Sequence, residues 1–203
     1  MKETPIIFST PMVQAILDGN KTQTRRILKE PFHTWFTNAN NAEWKAQTEK
    51  AQCPYGQVGD LLWVRETFYK SLSHGGWRYM DEVGAGSALE KASRGKNKSW
   101  KKTPSIHMPK AAARIWLRIT DVRAERLQNI SEEDAISEGI ERNPKAPKEI
   151  MVCYKSYISN DYNVYPCVSF STLWQLINGR ESWDQNPWVW VVSFEVVSKT
   201  GKP

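Results

Sequence analysis

Apolar positions along this 203-residue chain come in short runs, and their spacing changes from run to run. PIIF at 5–8 reads as a short strand. Val13, Ile16 and Leu17 follow at helical spacing. They sit behind Ser9-Thr10-Pro11, in which Thr10 can cap a helix and Pro11 suits its first position. Gly19 is placed to end that helix. KTQTRRI (21–27) then reads as a strand with Thr22, Thr24 and Arg26 on one face. LLWVRETF (61–68) is a strand after the Gly59-Asp60 turn, and ARIWLRITDV (113–122) alternates Ile115, Leu117 and Ile119 with Trp116, Arg118 and Thr120. ISEEDAISEGI (130–140) carries a helix start: Ser131 as cap, Asp134 three residues on, acids in the first turn where the helix dipole favours them, and Gly139 as the stop. Phe170, Leu173, Trp174 and Ile177 form an apolar stripe ahead of Gly179. WVWVVSFEVV (188–197) is almost wholly apolar, the pattern of a central strand covered on both faces.

Short helices among five or six strands make an α+β protein, and a small curved or closed sheet leaves no long bare edge. The length fits one domain spanning 1–203. Polar stretches at about 30–57 and 70–110 read as insertions, the second rich in Gly, Ser and Lys and expected to be mobile. Residues 141–167 read as a long connection.

Composition narrows the function classes. Mean hydropathy is −0.59, and no run of about 18 apolar residues is present, so no membrane-spanning helix is expected. The first residues, MKETPIIFSTP, lack a signal-peptide core, so a cytoplasmic protein is expected. Three scattered cysteines and three histidines give no metal-binding spacing and no disulfide framework, and no cofactor or metal is expected. The net charge of +6 is local: residues 91–110 hold seven Lys/Arg and no acid, while the rest of the chain is close to neutral. That tract, with Lys96, Lys98, Lys101 and Lys102, is either a polyanion-binding segment or a solvated loop. Of ten tryptophans, Trp63, Trp116, Trp174 and Trp190 fall in predicted elements and belong to the core. Trp183 and Trp188 flank a turn, where they either stack on a base or cap the sheet end.

GNKTQTRRI after a short helix, GDLLWVRETF, RIWLRITDVRAERLQNISEEDAISEGI and the terminal SWDQNPWVWVVSFEVV together resemble the ASCH domain family of the PUA-like superfamily, in its larger prophage-type members. The resemblance covers roughly 5–28, 57–69, 105–140 and 168–197. It implies a PUA-like small β-barrel with flanking helices and a cleft for RNA or a nucleoside. Small bacterial members are amidohydrolases acting on N4-acetylcytidine. By that resemblance Lys21, Thr24 and Glu138 are catalytic and Arg26 binds substrate. Thr22, Arg25 and Glu66 are further substrate-binding candidates from the residues themselves, and Glu66, on a predicted strand beside Arg65, is the rival carboxylate to Glu138. A monomer is expected. Other members are linked to RNA binding or RNA cleavage. A non-catalytic RNA- or modified-base-binding module is therefore the alternative, and a metal-independent ribonuclease the third reading.

The residues also carry a chemical argument. A threonine hydroxyl needs a base to become a nucleophile. A lysine acts as one only if its pKa falls from about 10.4 towards neutrality. Arg25, Arg26 and Lys29 push Lys21 that way, and desolvation adds to it. Glu138 lies at its helix's C-terminal end, where the dipole disfavours a negative charge and so favours a proton donor. Strand alternation sets Lys21 and Thr24 on opposite faces unless Lys21 precedes the regular strand.

Overall fold

The computed structural model describes residues 1–29, 52–80, 88–94, 98–143 and 152–203. The chain divides into two compact units, Met1–Asp18 with Gly59–Arg118 and Glu195–Pro203, and Gly19–Val58 with Ile119–Phe194. The class is α+β.

In the first unit, β1 (Glu3–Ile7) leads into α1 (Thr10–Leu17). Ser9 occupies the cap position and makes no side-chain capping bond; Thr10, expected as the cap, is already helical, with Pro11 in the first turn. Val13 and Ile16 are the buried face of α1. Gly19 stands at φ +77°, a conformation that a side chain resists. Across the unit boundary in sequence comes β2 (Gln23–Ile27), which belongs to the second unit. The first unit resumes with β3 (Leu61–Arg65), which pairs in parallel with β1 and antiparallel with the start of β7 (Trp116–Arg126). Leu61, Trp63, Ala113 and Trp116 pack together there, with Val197 against them.

LLWVRETF is not one strand. It breaks at Glu66-Thr67, and β4 begins at Phe68 (Phe68–Ser71). Buried Glu66 is gripped by Arg114, whose Nε donates to Oε1 at 2.9 Å and whose Nη2 donates to Oε2 at 3.0 Å. A residue held by a two-pronged ion pair is a fixed point at which the chain changes sheet.

The described residues of the 70–110 stretch, expected as an insertion, carry regular structure. β4 is the middle strand of a three-stranded antiparallel sheet with β5 (Trp77–Tyr79) and β6 (Trp100–Thr103), and a helix α2 (Ala88–Ala92) lies between the last two in sequence. Aromatic burial is the reason. Phe68, Met108 and Ala112 form a small core with Trp77 and Tyr79 packed on it. Arg114 also stacks over the Tyr79 ring at 4.1 Å.

The second unit is built on β10 (Trp188–Ser198), whose first half pairs antiparallel with β2, Val192 facing Thr24 and Val191 facing Arg25. Helix α3 (Glu132–Ser137) starts as the sequence indicates: Ser131 Oγ accepts from the Asp134 N–H at 3.1 Å. Gly139 follows at φ +83°. The connection after it contains a short ladder, β8 (Tyr154–Lys155) with β9 (Tyr162–Asn163). Helix α4 runs Pro166–Asn178, a turn earlier than its apolar stripe indicates, because Pro166 takes the first helical turn. Leu127, Ile130, Ala135, Phe170, Trp174, Val189 and Val191 form the core that joins α3 and α4 to β10. Among the described residues no helix is long and apolar enough to cross a membrane.

Candidate functional site

The segment 21–27 enters β2 in two steps. Lys21 precedes the regular strand and forms a single antiparallel bridge with Glu138, the residue that caps the C-terminal end of α3. Around it, the Thr22 N–H donates to the Ser137 carbonyl at 2.9 Å and the Phe194 N–H donates to the Thr22 carbonyl at 2.8 Å. Two backbone bonds on one residue pin the entry to β2 between α3 and β10. The Thr22 side chain itself is exposed.

That pinning carries Lys21 inside. Its side chain is 1% exposed, and its ammonium donates to Glu138 twice: to the backbone carbonyl and to Oε2, each at 2.7 Å. A cation on the last carbonyls of a helix is well placed against the helix dipole. Burial pushes the Lys21 pKa down from its ordinary value of 10.5. Glu138 opposes that fall, while Arg26 and Arg25 reinforce it. The chemical requirement on a lysine base is thus met in direction, with desolvation as the larger cause and the neighbouring arginines as the smaller.

Arg25 lies on the same face as Gln23. Its guanidinium is fully buried and has four side-chain acceptors. Nη1 donates to Gln23 Oε1 at 2.7 Å and Glu138 Oε1 at 3.2 Å; Nη2 donates to Glu125 Oε1 at 2.7 Å and Asp134 Oδ2 at 2.8 Å. Arg123, two residues from Glu125 on β7, closes the network by donating to Glu125 Oε2 at 3.1 Å and to Asp134. Glu125, Asp134 and Glu138 thus share Lys21, Arg25 and Arg123, the first two cations wholly inside, and Arg123 also donates to Asp121 at 3.1 Å.

The alternation along β2 sets Thr24 and Arg26 on the opposite face from Gln23 and Arg25. Thr24 is buried and Arg26 half-buried. Lys21, Arg25 and Glu138 are thus brought together, and Thr24 with Arg26 shares the other side of the strand. Glu66 belongs to the first unit, where both its oxygens are held by Arg114. Of the basic tract, Lys96 lies outside the described residues. Lys98 is exposed ahead of β6, and Lys101 and Lys102 are exposed on it. Trp183 makes an edge contact with Phe170 at 6.3 Å, and Trp188 is nearly buried with Arg126 over its ring at 4.8 Å. Both thus serve as packing residues.

Sequence reasoning misses Glu125 and Arg123 and sees Asp134 only as part of a cap. In fact the Asp134 N–H serves the cap while its carboxylate serves the arginines. The available signal was the i, i+2 spacing of Arg123 and Glu125 on a strand, which puts opposite charges side by side on one face. Among the described residues no group of three His, Cys, Asp or Glu is placed to hold a metal ion.

No family model matches the chain, and no curated protein matches it. Two solved structures do. One is an ASCH domain from Lactobacillus crispatus JV V101, at 14% identity over 97% of this chain and 80% of that one, with a TM-score of 0.40. The other is a protein from Enterococcus faecalis V583 described under DUF984, at 13% identity over 98% of this chain and 77% of that one, with a TM-score of 0.42.

Proposed function

We propose that this protein is an amidohydrolase that removes the acyl group from an N4-acylated cytidine. The observation that carries the reading is the buried Lys21–Glu138 contact at 2.7 Å, with the lysine pKa lowered by desolvation. Buried, perturbed ionisable pairs mark functional sites more often than ordinary surface pairs do. In this reading Lys21 takes the proton of Thr24 as its hydroxyl attacks the acyl carbonyl. Arg26, on the same strand face as Thr24, stabilises the oxyanion. The proton that Lys21 takes from Thr24 passes through the Glu138 carboxylate it contacts to the departing N4 amine, leaving an acyl-threonine ester that water hydrolyses to the free acid. The sum is amide plus water giving cytidine plus carboxylic acid. Lys21 precedes the regular strand, so the alternation of β2 does not bind it, and this reading requires its amine to rotate away from Glu138 about the four-carbon stem to reach Thr24.

The test is chromatographic release of cytidine from N4-acetylcytidine by the purified protein across a pH series. Because the neutral amine is the active form, the rate rises with pH along a limb whose midpoint lies below 10.5. Absence of turnover by the folded protein from neutral to alkaline pH overturns the reading.

A second reading, association with RNA, is favoured by the three-stranded sheet of the first unit. Lys70, Arg78, Lys101 and Lys102 are exposed there, and none is ion-paired with a described residue. Lys70 stands directly opposite Lys101 on β4 and β6, an arrangement of like charges that an anion would relieve. Affinity for a labelled single-stranded RNA should fall steeply with salt, and the logarithmic slope should drop by about one for each phosphate-contacting lysine replaced by glutamine. An unchanged slope in Lys101→Gln/Lys102→Gln removes those residues from the interface.

A further inference from the structure

Glu138 has one carboxylate oxygen for each of two buried cations. Oε2 accepts from Lys21 at 2.7 Å and Oε1 from Arg25 at 3.2 Å. Arg25 is itself fixed from three elements: Gln23 on β2, Glu125 on β7 and Asp134 on α3. Its guanidinium plane also lies 5.7 Å from the Phe170 ring of α4. The two terminal nitrogens of this planar fork are committed to four acceptors, and the buried Nε–H makes no hydrogen bond to a described residue, so the fork is held in place by its Nη groups. We propose that Arg25 is a positioning residue, which fixes the Glu138 carboxylate through Oε1 so that Oε2 is presented to Lys21. The sequence reading instead has Arg25 as a substrate-binding candidate. The inference rests on the reading of Lys21 and Glu138 as the reacting pair.

The charged groups facing Lys21 are Glu138 from the end of α3 and Arg25 and Arg26 from β2. Those facing Arg25 are Glu125 from β7 and Asp134 and Glu138 from α3, with Arg123 of β7 bound to the first two. Loss of Arg25 therefore removes one repelling cation from Lys21 and leaves the Glu138 charge undivided. Both changes favour the charged lysine.

Two measurements test this. In protein labelled with 15N-lysine, the Lys21 Nζ signal, assigned by its loss in Lys21→Met, is titrated in wild type and in Arg25→Gln. The midpoint should rise by about half a unit or more in the variant; an unchanged midpoint in a folded variant overturns the proposal. Arg25→Lys keeps the charge and loses the fork. Its kcat on N4-acetylcytidine should fall about tenfold or more with KM near the wild-type value. A raised KM with unchanged kcat would make Arg25 a substrate contact and overturn the proposal. Should Arg25→Gln fail to fold, Glu125→Gln loosens one anchor while leaving Arg25 in place. Its kcat should fall while KM holds, and an unaltered kcat overturns the proposal. If wild type turns over no acylcytidine, the amidohydrolase reading falls alone, and the Arg25→Gln titration still decides the role of Arg25.

Discussion

Lys21→Met should reduce cytidine release by about 10²- to 10⁴-fold, the usual contribution of a positioned proton-transfer group. The substitution is chosen for what it leaves alone. Methionine keeps much of the apolar stem that fills the site between α3 and β2. Glu138 still has Arg25 on Oε1, so its charge is not left without a partner. Folding should therefore survive, and circular dichroism checks it. The pH profile gives the sharper readout. Residual hydrolysis in the variant should lack the rising limb that the lysine produces in wild type. Linkage gives a second one. The Lys21 pKa is lowered on folding, so below its folded value the native state carries the cost of a charged buried amine. Between that value and 10.5 the unfolded chain binds more protons, and stability rises with pH. In Lys21→Met this slope should vanish from denaturant titrations in that window. Unaltered hydrolysis in the variant would show that Lys21 is not the base.

The elements legible in the sequence are those whose apolar period is unbroken. The stripe of α1, the cap of α3 and the apolar run of β10 each need only local information: which residue faces the core and which satisfies the backbone at the end. The sheet β4–β6 was illegible because Gly75, Gly76 and the surrounding serines and lysines outweigh the aromatics in composition, although Phe68, Trp77 and Tyr79 decide the packing. The candidate site divides in the same way. That Lys21 precedes the regular strand follows from the Gly19-Asn20 turn. That its partner is Glu138, 117 residues on, has no local signature and came only from family resemblance. That Arg25 meets the acids was illegible, since the alternation separates it from Arg26 but says nothing of which strand face the acids lie on. The acceptors Glu125 and Asp134 lie 100 and 109 residues from Arg25.

Those separations make Arg25 the residue whose loss should most damage the fold. Arg25→Met is expected to destabilise by about 3–5 kcal/mol, the range for removing one side of a buried, hydrogen-bonded ion pair. The loss arises from what remains behind. Gln23 Oε1 loses an N–H donor, and Glu125, Asp134 and Glu138 each lose one. Two of the acids keep Arg123 and the third keeps Lys21, which holds the loss towards the lower end of that range. For a chain of this length about 3 kcal/mol corresponds to a Tm lower by roughly 6–12 °C. The exposed pair Arg118–Glu195 is the control, with both side chains about half exposed. Arg118→Met should change stability by less than about 1 kcal/mol, because solvent screens the attraction and replaces it when lost. Thermal melts of the two variants side by side separate burial from charge. If Arg25→Met melts no lower than Arg118→Met, the network around Glu138 does not hold β2 to α3, and the fixed carboxylate on which the proton-transfer geometry depends goes with it.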